Sequence, residues 1–175
     1  MFSADDVILD PGEFCFASAG TRIRTLLGSC VSISMWHPRR RVGGMCHYMI
    51  PRRRRSPGTR HQLSGRYADE AIELFLRELA RNNTMPHEYQ VKMFGGGNQF
   101  PDTRRALDIP RQNIDIGLEL LEHHGFELTA THLGGTGARH ILFDLTDGGV
   151  WLKHTGQTLA DQAMAEAAQR TERSA

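Results

Sequence analysis

Val31-Ser32-Ile33-Ser34-Met35-Trp36 and, after the break His37-Pro38-Arg39-Arg40, Val42-Gly43-Gly44-Met45-Cys46-His47-Tyr48-Met49-Ile50 are the stretches on which the fold turns. The first alternates apolar and polar residues with a period of two, the pattern of a half-buried strand. The second is largely apolar and stops at Pro51. Together they predict an antiparallel hairpin around the Pro38 turn. With Trp36 and Arg41 flanking a four-residue turn, opposed residues carry numbers summing to 77, and Cys30 faces His47.

Cross-strand partners hold their Cβ atoms ~4.5 to 5.5 Å apart, close enough for an imidazole nitrogen to approach a thiol. The thiolate is the nucleophile, and a free cysteine is only slightly ionised near neutral pH, so a neighbouring imidazole is what makes it reactive. Gly28, two residues earlier, allows a tight bend before Cys30, where backbone amides can donate to a developing oxyanion. The same residue types also suit a plain core, because buried cysteines and hydrogen-bonded core histidines are common. Cys46 points to the face opposite His47 in a regular strand, and its apolar context, like that of Cys15, reads as structural.

Outward from the hairpin, residues 52–64 hold four consecutive arginines and Ser56-Pro57-Gly58, which predicts an exposed loop. Ala68, Ala71, Ile72, Phe75, Leu76 and Leu79 recur at three and four residue spacings, so Ser64 to Arg81 reads as an amphipathic helix ended by Asn82-Asn83. Tyr89 to Phe94 reads as a strand running into Gly95-Gly96-Gly97-Asn98. A second helix runs from Pro110 to His124 with Gly125 as its stop. Phe126 to His132, Ile141 to Leu145 and Val150 to Lys153 follow as strands. Residues 1–156 read as one domain that contains the N-terminal antiparallel hairpin. Residues 157–175 form a C-terminal tail, helical or disordered.

A chain of 175 residues buries roughly 68 to 70% of its unfolded surface without a disulfide staple. Three cysteines without a C-x-x-C pair point to free thiols, and the N-terminus lacks a signal peptide, so the expected location is cytoplasmic. No run reaches the ~18 apolar residues of a membrane span, so no membrane insertion is expected. Twenty-one Lys and Arg against 20 Asp and Glu give a charge of +1, which excludes a global field for nucleic acid.

At Leu27-Gly28-Ser29-Cys30-Val31-Ser32-Ile33 and Gly44-Met45-Cys46-His47-Tyr48-Met49-Ile50-Pro51 the chain resembles the chemoreceptor glutamine deamidase family, CheD. Arg66-Tyr67-Ala68-Asp69, Phe94-Gly95-Gly96-Gly97-Asn98 and Gly134-Gly135-Thr136-Gly137-Ala138-Arg139 extend the resemblance over about residues 8 to 155. It implies that Cys30 is the nucleophile and His47 the general base. They would act on glutamine side chains in the cytoplasmic helical region of methyl-accepting chemotaxis receptors and yield glutamate through a thioester, without cofactor or metal. It also implies an α+β fold, a single domain with a β core and helices packed on the outside, and the thiol at the start of a strand. A threonine assists in some members six residues before the cysteine; here that position is Arg24 and the nearest threonine is Thr25. The family's Asn-Ile-Gly-x-x-Asn segment reads here as Asp108-Ile109-Pro110-Arg111-Gln112-Asn113, which keeps Asn113. Family members can also hydrolyse glutamyl methyl esters, and some bind a CheC-type phosphatase.

Other readings stand beside this one. Arg39-Arg40-Arg41 and the run Arg52 to Arg55, at opposite ends of one strand, are either solvated loops or a patch for acidic receptor helices. Nucleic-acid binding is disfavoured, since no aromatic platform accompanies them. Zinc on Cys15, Cys30, His37 and His47 would need a spacing unlike the common zinc patterns. Neither glycine-rich loop carries the Gly-Lys-Ser/Thr ending of a phosphate loop. A non-catalytic chemotaxis adaptor that binds receptors or the phosphatase is the alternative of a different class.

Overall fold

Two β-sheets packed face to face, with two helices on one outer side, make a three-layer α+β domain. The computed structural model describes residues 6–54, 61–99 and 108–156. The expected tail at 157–175, the N-terminal residues 1–5, and Arg55 with Ser56-Pro57-Gly58 lie outside the described residues. Strands β1 (Asp6–Ile8), β3 (Arg22–Leu27), β8 (Ala138–Asp144) and β9 (Val150–Thr155) form a four-stranded sheet in the order β1-β3-β8-β9. Strands β2 (Phe14–Ser18), β5 (Val42–Tyr48), β4 (Val31–His37), β6 (Gln90–Gly95) and β7 (Leu128–Leu133) form the second sheet in that order. Only β1/β3 and β6/β7 run parallel among the described pairs.

Helices α1 (Ala68–Arg81) and α2 (Ile109–His123) cover the five-stranded sheet. Ala71, Ile72, Phe75 and Leu79 of α1 and Ile116, Leu120 and Leu121 of α2 bury against Val31, Ile33, Met35, Cys46, Tyr48, Val91 and Met93. A second cluster, with Ile23, Leu27, Met45, Phe94, Ile141 and Phe143, fills the space between the sheets. Strand periodicity divides the hairpin between these cores: one face goes to the helices, the other to the second sheet.

The hairpin forms as expected, but its register is two residues longer than the sequence reading. His37 and Val42 flank the turn Pro38–Arg41, and Ser32, not Cys30, opposes His47. His37 stays in the strand because its side chain is buried edge-on against Tyr89, and Arg41 closes the turn at φ 53. A shift of two preserves the side of every residue, whereas a shift of one would have reversed it. Cys30 thus precedes β4 and still packs into the inter-sheet cluster with Met45.

Helix α1 begins at Ala68 and not at Ser64, because the backbone of residues 64–67 is engaged elsewhere. Arg66 O accepts from Met49 N and Ile50 N, and Tyr67 bridges Ile50. Asp108 caps α2 by accepting from Arg111 N at 3.2 Å, and Pro110 lies in the first turn, where its missing N–H costs nothing. The strands β1 to β3 were not read from the sequence.

Candidate active site

The open end of the hairpin meets β3 of the opposite sheet, and this is where the expected site residues lie. His47 is 1% exposed, and its backbone is fixed on both sides: its N–H donates to Glu13 O at 3.0 Å, and its carbonyl accepts from Gly12 N at 2.8 Å. Asn113 Nδ2 donates to Met49 O at 2.8 Å, and the Tyr48 hydroxyl donates to Asn113 O, so α2 is tied to the strand end that carries the imidazole. Asn113 is therefore a clamp on the end of β5.

Thr25 extends from β3 across the sheet interface, and its Oγ1 lies 2.8 Å from His47 Nδ1 and 2.7 Å from Leu9 O. A carbonyl oxygen only accepts, so the single hydroxyl proton of Thr25 goes to Leu9 O. The hydroxyl oxygen then accepts from His47 Nδ1–H, which leaves the lone pair of neutral His47 on Nε2. That nitrogen is buried and has no hydrogen-bond partner. Burial depresses the His47 pKa below the usual 6.5, against smaller opposing effects of the Leu9 backbone, Asp10 and Glu13, so the neutral form is favoured.

Cys30 is half-buried and free, in a bend held from its far side. Gly96 N donates to Cys30 O at 2.8 Å, and Gly97 N donates to Gly28 O at 3.0 Å. Glycine is required at 95: φ is +112, and a Cβ there would stand 2.2 Å from Cys30 O. Burial raises the Cys30 pKa above the usual 9.0, and a hydrogen bond with Ser29 partly offsets it. Cys46, fully buried on the helix side, is pushed up to about 12 by desolvation. Its placement on the face opposite His47 is as expected.

The arginine runs are partly internal. Arg53 makes an ion pair with the buried Glu70 at 2.7 Å and lies over the Tyr67 ring, Arg52 reaches Glu119 at 3.9 Å, and Arg39 reaches Glu88 at 3.5 Å. Arg41 donates to Thr146 O. Of the four residues considered for zinc, His37 sits at the turn end, its Nδ1 accepting from Arg40 N. Among the described residues no three His, Cys, Asp or Glu side chains gather as a metal-holding group.

The family model described as CheD chemotactic sensory transduction matches residues 49–154. A protein of Pseudomonas savastanoi named probable chemoreceptor glutamine deamidase CheD is 51% identical over 153 residues, covering 85% of this chain and 84% of that one. The chain belongs to the CheD family. A relative of the same name from Pseudomonas fluorescens and one from Dechloromonas aromatica named probable chemoreceptor glutamine deamidase CheD 3 are 53% and 49% identical, each covering at least 84% of this chain, with 84% and 86% of their own lengths matched. The crystal structure of the hypothetical protein YfiH from Bacillus licheniformis superposes with a TM-score of 0.50 at 9% identity, over 73% of this chain and 63% of that one, a likeness of fold. Among the described residues of this CheD chain no helix is long and apolar enough to cross a membrane.

The Leu9 carbonyl and the buried Arg139 were not assigned roles from sequence. The alternation of Ile23, Thr25 and Leu27 with Arg22, Arg24 and Leu26 was the available signal for β3, and with it for Thr25 as an inward residue.

Proposed function

We propose that this chain is a chemoreceptor glutamine deamidase in which Cys30 is the nucleophile, His47 the general base and Thr25 the residue that orients His47. The observation that carries this reading is the hydrogen bond from His47 Nδ1–H to Thr25, which leaves the Nε2 lone pair on the face of the hairpin that Cys30 shares. The names of the relatives support the same chemistry and supply the substrate class, glutamine side chains of chemoreceptors.

The opposite pKa tendencies of the two groups favour a neutral thiol beside a neutral imidazole at rest. Proton transfer therefore accompanies attack: Cys30 Sγ bonds to the glutamine side-chain carbonyl carbon while His47 Nε2 takes the thiol proton. Collapse of the tetrahedral intermediate breaks the C–N bond as His47 protonates the leaving amine, releasing ammonia and leaving a thioester. Water then attacks the thioester carbon with its proton passing to His47, the C–S bond breaks, and the proton returns to sulfur. The product is glutamate. Methyl esters of glutamate pass through the same thioester with methanol in place of ammonia.

Incubation of receptor cytoplasmic fragments with wild-type protein should add ~1 Da per glutamine converted, and Cys30→Ala should abolish the gain, at least ~10³-fold. Ammonia release that persists in Cys30→Ala removes the proposed nucleophile. No conversion by the wild type, with receptor binding retained, would favour the adaptor reading. A CheC-type phosphatase belongs to the proposal only as an expected partner, testable by co-purification.

A further inference from the structure

Arg139 is 1% exposed and stands first by volume among the fully buried side chains of the described residues. Arg139 occupies β8 opposite Leu27, the last residue of β3 before the bend that carries Cys30. Its guanidinium reaches across the sheet interface: Nε donates to His132 Nδ1 at 2.8 Å, and Nη2 donates to Gly134 O. A Cβ built on Gly97 would stand 3.1 Å from Arg139 Nη1, and Gly97 N is the donor that holds Gly28 O. The cation is thus bonded to residues 132 and 134, and Gly97, whose amide holds Gly28 O, packs beside it.

That cation is unusual in its partners. His132 accepts through a ring nitrogen and is held below its usual pKa, mainly by desolvation and then by Arg139, so it contributes no negative charge. Among the described residues Arg139 forms no ion pair, and Nη1 has no hydrogen-bond partner. A buried guanidinium without a carboxylate is expensive, and an apolar side chain of similar volume would pack the same space at lower cost. Packing alone does not account for an arginine here, whereas a fork that holds residues 132–134 against the glycine loop and a positive charge beside a loop where negative charge develops both do.

We propose that Arg139 is a positioning residue for the acyl-transfer reaction: anchored on His132 and Gly134, it backs the Gly97 backbone that holds Gly28 O and sets a positive field behind the Cys30 bend. This inference rests on the reading of Cys30 as nucleophile. It touches neither the substrate nor the sulfur and acts through the backbone of the glycine loop.

Arg139→Met keeps the bulk and removes both fork and charge, and Arg139→Lys keeps the charge alone. Two readouts apply to each: steady-state deamidation of a receptor fragment, and the pseudo-first-order rate at which iodoacetamide modifies the Cys30 peptide, followed by mass spectrometry. In Arg139→Met kcat should fall about tenfold to a hundredfold with KM little changed, and Cys30 alkylation should slow, while the melting temperature stays level or rises. Arg139→Lys should recover part of both rates. Wild-type kcat and alkylation in a folded Arg139→Met protein, or a loss confined to KM, would overturn the proposal. If the Met variant does not fold, the Lys variant decides: wild-type rates in it would dismiss the role of the fork. Should the wild type itself convert no glutamine, the proposed function fails, yet the alkylation rates still judge Arg139.

Discussion

The two faces of one hairpin are built from the same strands and serve opposite ends. Toward the helices, β4 and β5 present Val31, Ile33, Met35, Cys46 and Tyr48, an almost wholly apolar surface locked under α1 and α2. Toward the second sheet, the same strands present Ser32, Ser34 and His47 among the apolar Met45 and Trp36, with Cys30 at the entrance. The hydroxyls of Ser32 and Ser34 and Nε2 of His47 are buried without partners. One face is almost wholly apolar, and the other sets among its apolar residues polar groups whose burial costs energy. Two thiols 16 positions apart in sequence thus acquire different chemistry: Cys46 is raised to about 12 and sealed, and Cys30 is half-exposed with a hydrogen bond from its neighbour Ser29 working against its burial.

The largest expected contrast lies between those thiols. Cys30→Ala should remove glutamine conversion, whereas Cys46→Ala should retain most of it, measured as ammonia release per folded molecule; equal losses would erase the distinction between the faces. Next comes the imidazole. His47→Ala should lower kcat ~10² to 10⁴-fold, and Thr25→Val, which frees the ring without removing it, should cost about tenfold. A Thr25→Val enzyme with an unchanged kcat would dismiss the orienting hydrogen bond.

On the stability side the order of the faces reverses. Ile33→Ala opens a cavity under the helices and should cost about 2 to 5 kcal/mol in urea unfolding, with kcat preserved in the folded fraction. Ser32→Ala removes a buried hydroxyl without a partner and should change stability by about 1 kcal/mol or less, in either direction. A Ser32→Ala protein that unfolds as readily as Ile33→Ala would show that the sheet-facing side also carries the fold.

The smallest effect is one of pH. The folded-state pKa of His47 is depressed by burial, so below the unfolded value of 6.5 the unfolded chain binds the extra proton first. His47 therefore contributes a loss of stability as pH falls from 6.5 through its folded pKa, and none above 6.5. His47→Gln should flatten this part of the stability profile, and an unchanged slope would place the acid sensitivity elsewhere. By the same sign, the acid limb of kcat/KM should lie below the position of an ordinary imidazole.

Much of this contrast was legible in the sequence because it is written in alternation. The period-two pattern of residues 31–36 and the stop at Pro51 fixed the hairpin and the shared side of Cys30 and His47. Helical spacing placed α1, and Pro110 with Gly125 placed α2, to within a few residues. The register was not legible, because His37 has no apolar signature and only its burial against Tyr89 keeps it in the strand. Thr25 came from family resemblance, and its contact with His47 depends on two sheets closing on each other, which local pattern does not encode. Arg139 was visible as a letter in a glycine-rich motif, and only the fold reveals that its guanidinium is buried between residues 132–134 and the Gly97 loop. The arginine run at 52–54 read as a solvated or docking patch because the ion pair of Arg53 with Glu70 joins residues from two separate segments.

Acid quenching during turnover with a receptor fragment, followed by peptide mapping of the enzyme, asks where the acyl group rests. A thioester on the Cys30 peptide, enriched in a variant slowed at His47, is expected. A thioester on Cys15 or Cys46, or full turnover with Cys30 alkylated, is incompatible with a nucleophile at the mouth of the sheet-facing side.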